Sequence, residues 1–243
     1  MPSKFAIVLV VAIFLITVLV RMPAGVLSAL LPRELHCQEP TGTVWQGACA
    51  ELRSGQLTLA DLHWRLHPLA LLRAQLRLEL QSGDAHAAGH GTVTLHLNGD
   101  LEIESLSALL PLRGGFTPLP ADWDGGLELA IAHASLASHH LASIEGTLTA
   151  RQLRSEHPAA DLGSFELRFP PATAGAASIG ALRDIGGPLA LQGVVQLAQG
   201  GAYEINGTVA ARQASDGELQ QLLQLLGPAD AQGRHEFSLS GSY

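Results

Sequence analysis

Eleven histidines are the first side chains of this chain that could do chemistry. Imidazole binds transition metals and moves protons near neutral pH. Spacing argues against a metal centre. His63 and His67 fall in one alternating run and share a strand face with Arg65, roughly 13 Å apart by strand rise, too far for one ion. His86 and His90 lie in a Gly/Ala-rich turn, and His139 and His140 point to opposite faces of an extended chain. No H-E-x-x-H, C-x-x-C or paired His–carboxylate spacing accompanies them. Solvent-facing histidines are the expectation, with no metal and no cofactor.

Nucleophile and acid–base patterns are equally sparse. There is no G-x-S-x-G, no phosphate-binding loop and no dinucleotide fingerprint. Asp122 and Asp124 flank Trp123, an arrangement a glycosidase could use, but carboxylates in a turn are the ordinary reading. Arg183-Asp184, ahead of Gly186-Gly187, reads as an exposed turn, with a buried ion pair as the alternative. Asn206-Gly207-Thr208 matches a glycosylation acceptor but sits inside a predicted strand. The net charge is −8 and Lys4 is the sole lysine. Without a basic patch, neither nucleic acid nor an anionic lipid surface is read as a polybasic target. The chain is expected to be no enzyme and to take no small-molecule substrate.

Two cysteines remain, Cys37 and Cys49. In an oxidising compartment they would close a small loop worth roughly 3 kcal/mol; in the cytosol they would be free thiols. The choice depends on topology, and topology is set by Phe5–Val20, sixteen residues without a charge. An apolar run with no polar face inserts in a membrane or is buried whole. A cleaved secretory leader is the competing reading, but the run is long for one and no A-x-A site follows. With Lys4 before it, the short tail stays cytoplasmic and the bulk of the chain crosses, which favours the disulfide. The run is roughly 24 Å long as a helix, short of a core of about 30 Å. Met22–Leu31 is also apolar and is expected to complete the embedded part.

The remainder must position whatever function exists. It holds 26 glycines, 13 prolines and few aromatics, and short alternating apolar runs set off by turn residues predict a β-rich domain. Strands are predicted over Gln56–Leu66, with a bulge near Ala60–Asp61 where the parity switches, and around Leu76–Leu80 and Val93–Leu97. Asn98-Gly99-Asp100 marks a hairpin. Ser105–Leu112 reads as a helical turn ended by Pro111, and Gly114–Gly126 as a loop holding Trp123. Further strands follow at Leu127–Ile131, Leu141–Leu153 and Phe165–Phe169. A soft boundary falls at 170–180. Leu189–Leu197 and Tyr203–Ala211 form a hairpin with Gly193 and Gly207 at inward positions. Leu219, Leu222, Leu223 and Leu226 space one amphipathic helix, stopped by Gly227-Pro228. Trp45 and Trp64 read as core aromatics, with the rim of an apolar groove as the alternative.

Several strings together carry a resemblance. Arg183-Asp184-Ile185-Gly186-Gly187-Pro188-Leu189, Gly201 through Tyr203 to Gly207, Ala210-Ala211-Arg212, Leu225-Leu226-Gly227-Pro228 and Phe237 through Gly241 resemble the general secretion pathway N family of bacterial type II secretion. The front agrees: Gly42-Thr43-Val44-Trp45-Gln46-Gly47, then Leu62-x-Trp64-x-Leu66-x-Pro68. The resemblance implies an accessory component of the inner-membrane assembly with one helix and a periplasmic β-rich domain; joined to the charge reading, this gives residues 1–31 as membrane anchor and juxtamembrane segment, N-terminus cytoplasmic, and 32–243 as periplasmic domain. Its implied partners are inner-membrane and periplasmic subunits of that apparatus, and membrane lipid around the N-terminal helix. The front strings are also similar to AsmA-type envelope proteins, which implies, alternatively, lipid carried along an apolar groove. The expected fold is mainly β: an N-terminal transmembrane helix, then a curled antiparallel sheet or half-barrel with one or two short helices.

Overall fold

The structure, a computed structural model, describes residues 3–26, 35–54, 57–83, 88–113, 123–138, 140–157, 159–171, 177–212 and 217–242. His86, Asp122, His139 and the centre of the 170–180 segment lie outside them. Helix α1 (Ser3–Val20) precedes β1 (Leu35–Gln38), β2 (Thr41–Gly42), β3 (Gln46–Ser54) and β4 (Leu57–His67). A 3-10 turn (Pro68–Arg73) leads to β5 (Gln75–Ser82), β6 (Gly89–His96), β7 (Leu101–Arg113), β8 (Trp123–Ala137) and β9 (His140–Glu156). Then come β10 (Ala159–Phe169), β11 (Ser178–Gly186), β12 (Leu189–Leu197), β13 (Ala202–Ala211), α2 (Gly217–Gln224) and β14 (His235–Ser242).

All strands join one antiparallel sheet, in chain order from β3 to β14, with β1 and β2 both paired to β3. The sheet is open, because β14 does not pair back to β1 or β2. Strands β10 and β11, on either side of the 170–180 segment, pair directly.

Period-two alternation sorts the two faces. Leu66, Leu78, Val93, Ile103, Ala134 and Ile144 stand opposite one another in a row across β4 to β9. One residue away runs the polar row Arg65, Glu79, Thr92, Glu104, His133 and Glu145. The apolar face holds the core. Ile131, Ala134, Ile144, Phe169 and Val195 are buried together there. Leu112, Leu153, Leu162, Leu189 and Val209 form a second cluster with Leu219 and Leu223 of α2.

Long strands keep their apolar residues on that face by changing parity at left-handed residues. Asp61, Ser105 and Gln152 have φ of +52°, +51° and +50°. At Asp61 the pairs Cys49–Leu62 and Glu51–Ala60 keep one register. The parity switch is therefore real, but a left-handed residue makes it, not an inserted one.

Ser105 explains a larger difference. The predicted helical turn 105–112 is the second half of β7, paired to β8 through Arg113. Leu101 and Ile103 have one parity and Leu106 to Leu112 the other, so the alternation looked broken. Among the described residues the contact of β7 with the β6 side ends at the bond from Leu109 N–H to the Ala88 carbonyl, two residues before Pro111, so the proline interrupts no described ladder bond there. Trp123 opens β8, and Arg183-Asp184 lies within β11.

Helix α1 has 18 residues, about 27 Å. No helix among the described residues is long and apolar enough to cross a membrane. The described apolar side chains of α1, among them Val10, Phe14 and Val20, are half-exposed or more.

Candidate functional site

The residues singled out in the front of the sequence converge on one junction, where α1 meets the sheet. After Val20 the chain turns, and Pro23 forms an isolated bridge with Thr43. Val44 N–H donates to the Met22 carbonyl (3.0 Å), and Ala24 N–H to that of Gly42 (3.1 Å). The Trp45 indole N–H donates to the Leu19 carbonyl, 2.8 Å away, an acceptor in the last turn of α1 that Met22 N–H reaches at 3.4 Å. Trp45 returns a backbone carbonyl to Leu66 N–H at 2.7 Å. Helix, β2–β3 turn and β4 are thereby tied together.

Each glycine of the G-T-V-W-Q-G string has a steric reason. Gly42 has φ +85°, and a Cβ there would sit 2.6 Å from the Gln46 carbonyl oxygen. A Cβ at Gly47 would sit 2.4 Å from the Trp64 ring. Trp64 lies across its cross-strand partner Gly47 and donates its indole N–H to the Val44 carbonyl at 3.2 Å. It packs with Ala24 and Cys49, the latter 1% exposed. Cys37 and Cys49 are joined in a disulfide beside them. Pro68 stands at the head of the 3-10 turn just past β4.

Met22–Ala24 thus belong to the junction. The whole stretch Met22–Leu31 is expected to complete the embedded part; Met22–Ala24 instead pair by backbone with the β2–β3 turn, with Ala24 buried against Trp64, while residues 27–31 lie outside the described ones. Sequence reasoning missed Ala24, since a small apolar residue in an apolar stretch carries no signal of its own.

The back set lies elsewhere, along β11 to β14. Gly187 has φ +126°, and a Cβ on it would meet Gly163 at 2.5 Å, beside Pro188. The rings of Phe237 and Tyr203 cover their partners Gly207 and Gly241. Phe169 covers Gly180 in the same way. Aromatic rings over cross-strand glycines recur from the junction to the far edge, filling the gap that a missing side chain leaves. Gly227, with φ +112°, follows α2, and its carbonyl meets His235 Nδ1 at 2.7 Å.

Several charged groups pair with one another. His67 meets Glu79 at 2.7 Å, His63 meets Asp61 at 3.2 Å and His96 meets Glu102 at 3.3 Å. Arg183 pairs with Glu166. Asp184 pairs with Arg212 and accepts from Leu191 N–H at 2.9 Å, so the Arg183-Asp184 string is a cross-strand ion-pair site, where an exposed turn was expected. Among the described residues no three His, Cys, Asp or Glu side chains could hold a metal.

Residues 33–238 match the family model of the type II secretion system (T2SS), protein N. The chain belongs to that family. A type II secretion system protein N of Vibrio cholerae is 33% identical over 168 residues, 65% of this chain and 66% of that protein. Its counterpart in Klebsiella pneumoniae is 26% identical over 97% of this chain and 94% of its own length. That of Aeromonas hydrophila is 23% identical over 96% and 98%. No solved structure matches the chain. The family is a component of the type II secretion system.

Proposed function

We propose that this protein is an accessory, non-catalytic component of the type II secretion system's inner-membrane assembly. Residues 1–31 are its membrane anchor and juxtamembrane segment, with the N-terminus cytoplasmic. Residues 32–243 form a periplasmic domain, a half-barrel curled around its apolar face, which acts through contacts with other subunits. The observation that carries this reading is the junction. The apolar helix and the residues that leave it are tied to the sheet by three hydrogen bonds, two backbone and one indole. The sheet's polar face has an apolar island on β11 and β12, where Ile179 and Val194 are 54% and 41% exposed, suited to a subunit contact.

A photo-crosslinker at Ile179 or Val194 in secreting cells is expected to capture secretion-system subunits. Recovery of no such subunit from either position counts against the proposal. A second reading, lipid held on the apolar face, draws on Leu76 and Leu95, which remain 39% and 41% exposed there. Lipid retained by the purified protein would support it; a lipid-free protein would not.

A further inference from the structure

The 3-10 turn Pro68–Arg73 holds three exposed leucines in six residues. Leu69, Leu71 and Leu72 are 76%, 45% and 84% exposed. In a 3-10 turn, residues three apart eclipse, so Leu69 and Leu72 point the same way. The turn is well formed: Ala74, at φ +59°, closes it with N–H bonds to the Ala70 and Leu71 carbonyls. A loop that is ordered and still presents leucines to solvent needs a partner.

Its place in the sheet says which partner. Trp45 bonds the end of α1 with its indole and Leu66 with its carbonyl, and Pro68 follows two residues after Leu66. The turn therefore hangs from the same end of the sheet as the exit of α1. The next connection at that end adds another leucine. Gln75, just after the turn, pairs with His96, and Leu97 beyond it is 85% exposed. Arg21 and Arg73, both exposed, and the Trp45 indole complete the composition of a bilayer interface, where aromatic and cationic side chains meet the headgroups.

We infer that the Pro68–Arg73 turn, with Leu97, inserts into the lipid interface beside α1 and fixes the tilt of the sheet against the bilayer. This rests on the reading that α1 is embedded. The occupant is lipid, because the exposed leucines share the end of the sheet from which the apolar helix α1 leaves. Leu225, 82% exposed, is the internal contrast: it follows α2 at the opposite end of the strands and should face water.

The test uses the full-length protein in phosphatidylethanolamine–phosphatidylglycerol liposomes, without reductant. Spin labels are placed singly through Leu69→Cys, Leu72→Cys, Leu97→Cys, Phe14→Cys and Leu225→Cys, and relaxation by oxygen is compared with that by a water-soluble nickel chelate. The expected result is an oxygen-to-nickel ratio several-fold higher at 69, 72 and 97 than at 225. Ratios at 69 and 72 equal to that at 225 overturn the inference, and so do labels shielded from both reagents, which would mean a protein partner. The label at 14 reports separately on α1: water there defeats the embedded-helix reading, whatever the turn does. Leu69→Glu with Leu72→Glu should then move the label at 97 toward water.

Discussion

Strands β7–β14 and strands β1–β6 obey the same alternation but are held by different means. In the first region Leu112, Leu153, Leu162, Leu189 and Val209 are buried with α2 laid on them. In the second, few side chains are fully buried: Cys49, Trp64 and Leu66 are the large ones, while Leu76 and Leu95 stay about two-fifths exposed. There a disulfide, two indole hydrogen bonds and the turn leading out of α1 stand where a core would be. A sheet that buries its apolar face is stabilised by area; one that leaves it open relies on point fastenings, as small scaffolds do.

That contrast can be broken region by region. Trp64→Ala removes both a ring and a hydrogen bond and should cost about 3–5 kcal/mol, with amide protection lost in β2–β5 and kept in β8–β13. Leu219→Ala, at a side chain 1% exposed, should cost about 2–5 kcal/mol with the opposite pattern, releasing α2 from β10 and β13. Equal loss in both regions from either variant would show one cooperative unit. Replacing Cys37 and Cys49 together by Ser should cost roughly 3 kcal/mol, confined to β1–β4 in hydrogen exchange.

Smaller effects sharpen the picture within the closed region. Asp184→Asn leaves Leu191 N–H with a neutral acceptor and weakens the pair to the half-exposed Arg212; about 1 kcal/mol is expected, read as a shifted denaturation midpoint. Smallest is a pH effect in the turn before β14. The Asp230 carboxyl is held below the ordinary carboxylate range, first by the Arg234 backbone N–H. A depressed folded value means its stabilising bonds are present above the unfolded pKa and lost as pH falls through the folded one. The protection of the Arg234 amide, its exchange rate relative to the unstructured rate at the same pH, should fall on acidification, and should not fall in Asp230→Asn.

How much of this was legible follows from range. Strands β5, β6, β12 and β13 and the Asn98–Asp100 hairpin were readable because their signals are local and periodic. The stop of α2 at Gly227 was readable for the same reason. Half of β7 was not, because Ser105 reverses parity in mid-strand and Pro111 reads as a stop, although it pairs with Gly126 of β8. The glycines of the two motif sets were visible as positions but not as reasons. Gly47 needs the ring of Trp64, and Gly207 needs that of Phe237, each a strand away. Asp184 and Arg212 are 28 residues apart, beyond any local pattern.

What the junction is for can be asked of secretion itself. In a strain lacking this protein, the full chain is compared with one in which α1 is exchanged for a cleavable secretory leader, so that the same β domain is released into the periplasm at matched abundance. Full-length protein should restore export of the type II cargo and the released domain should not. Equal restoration by the untethered domain would contradict an anchored role.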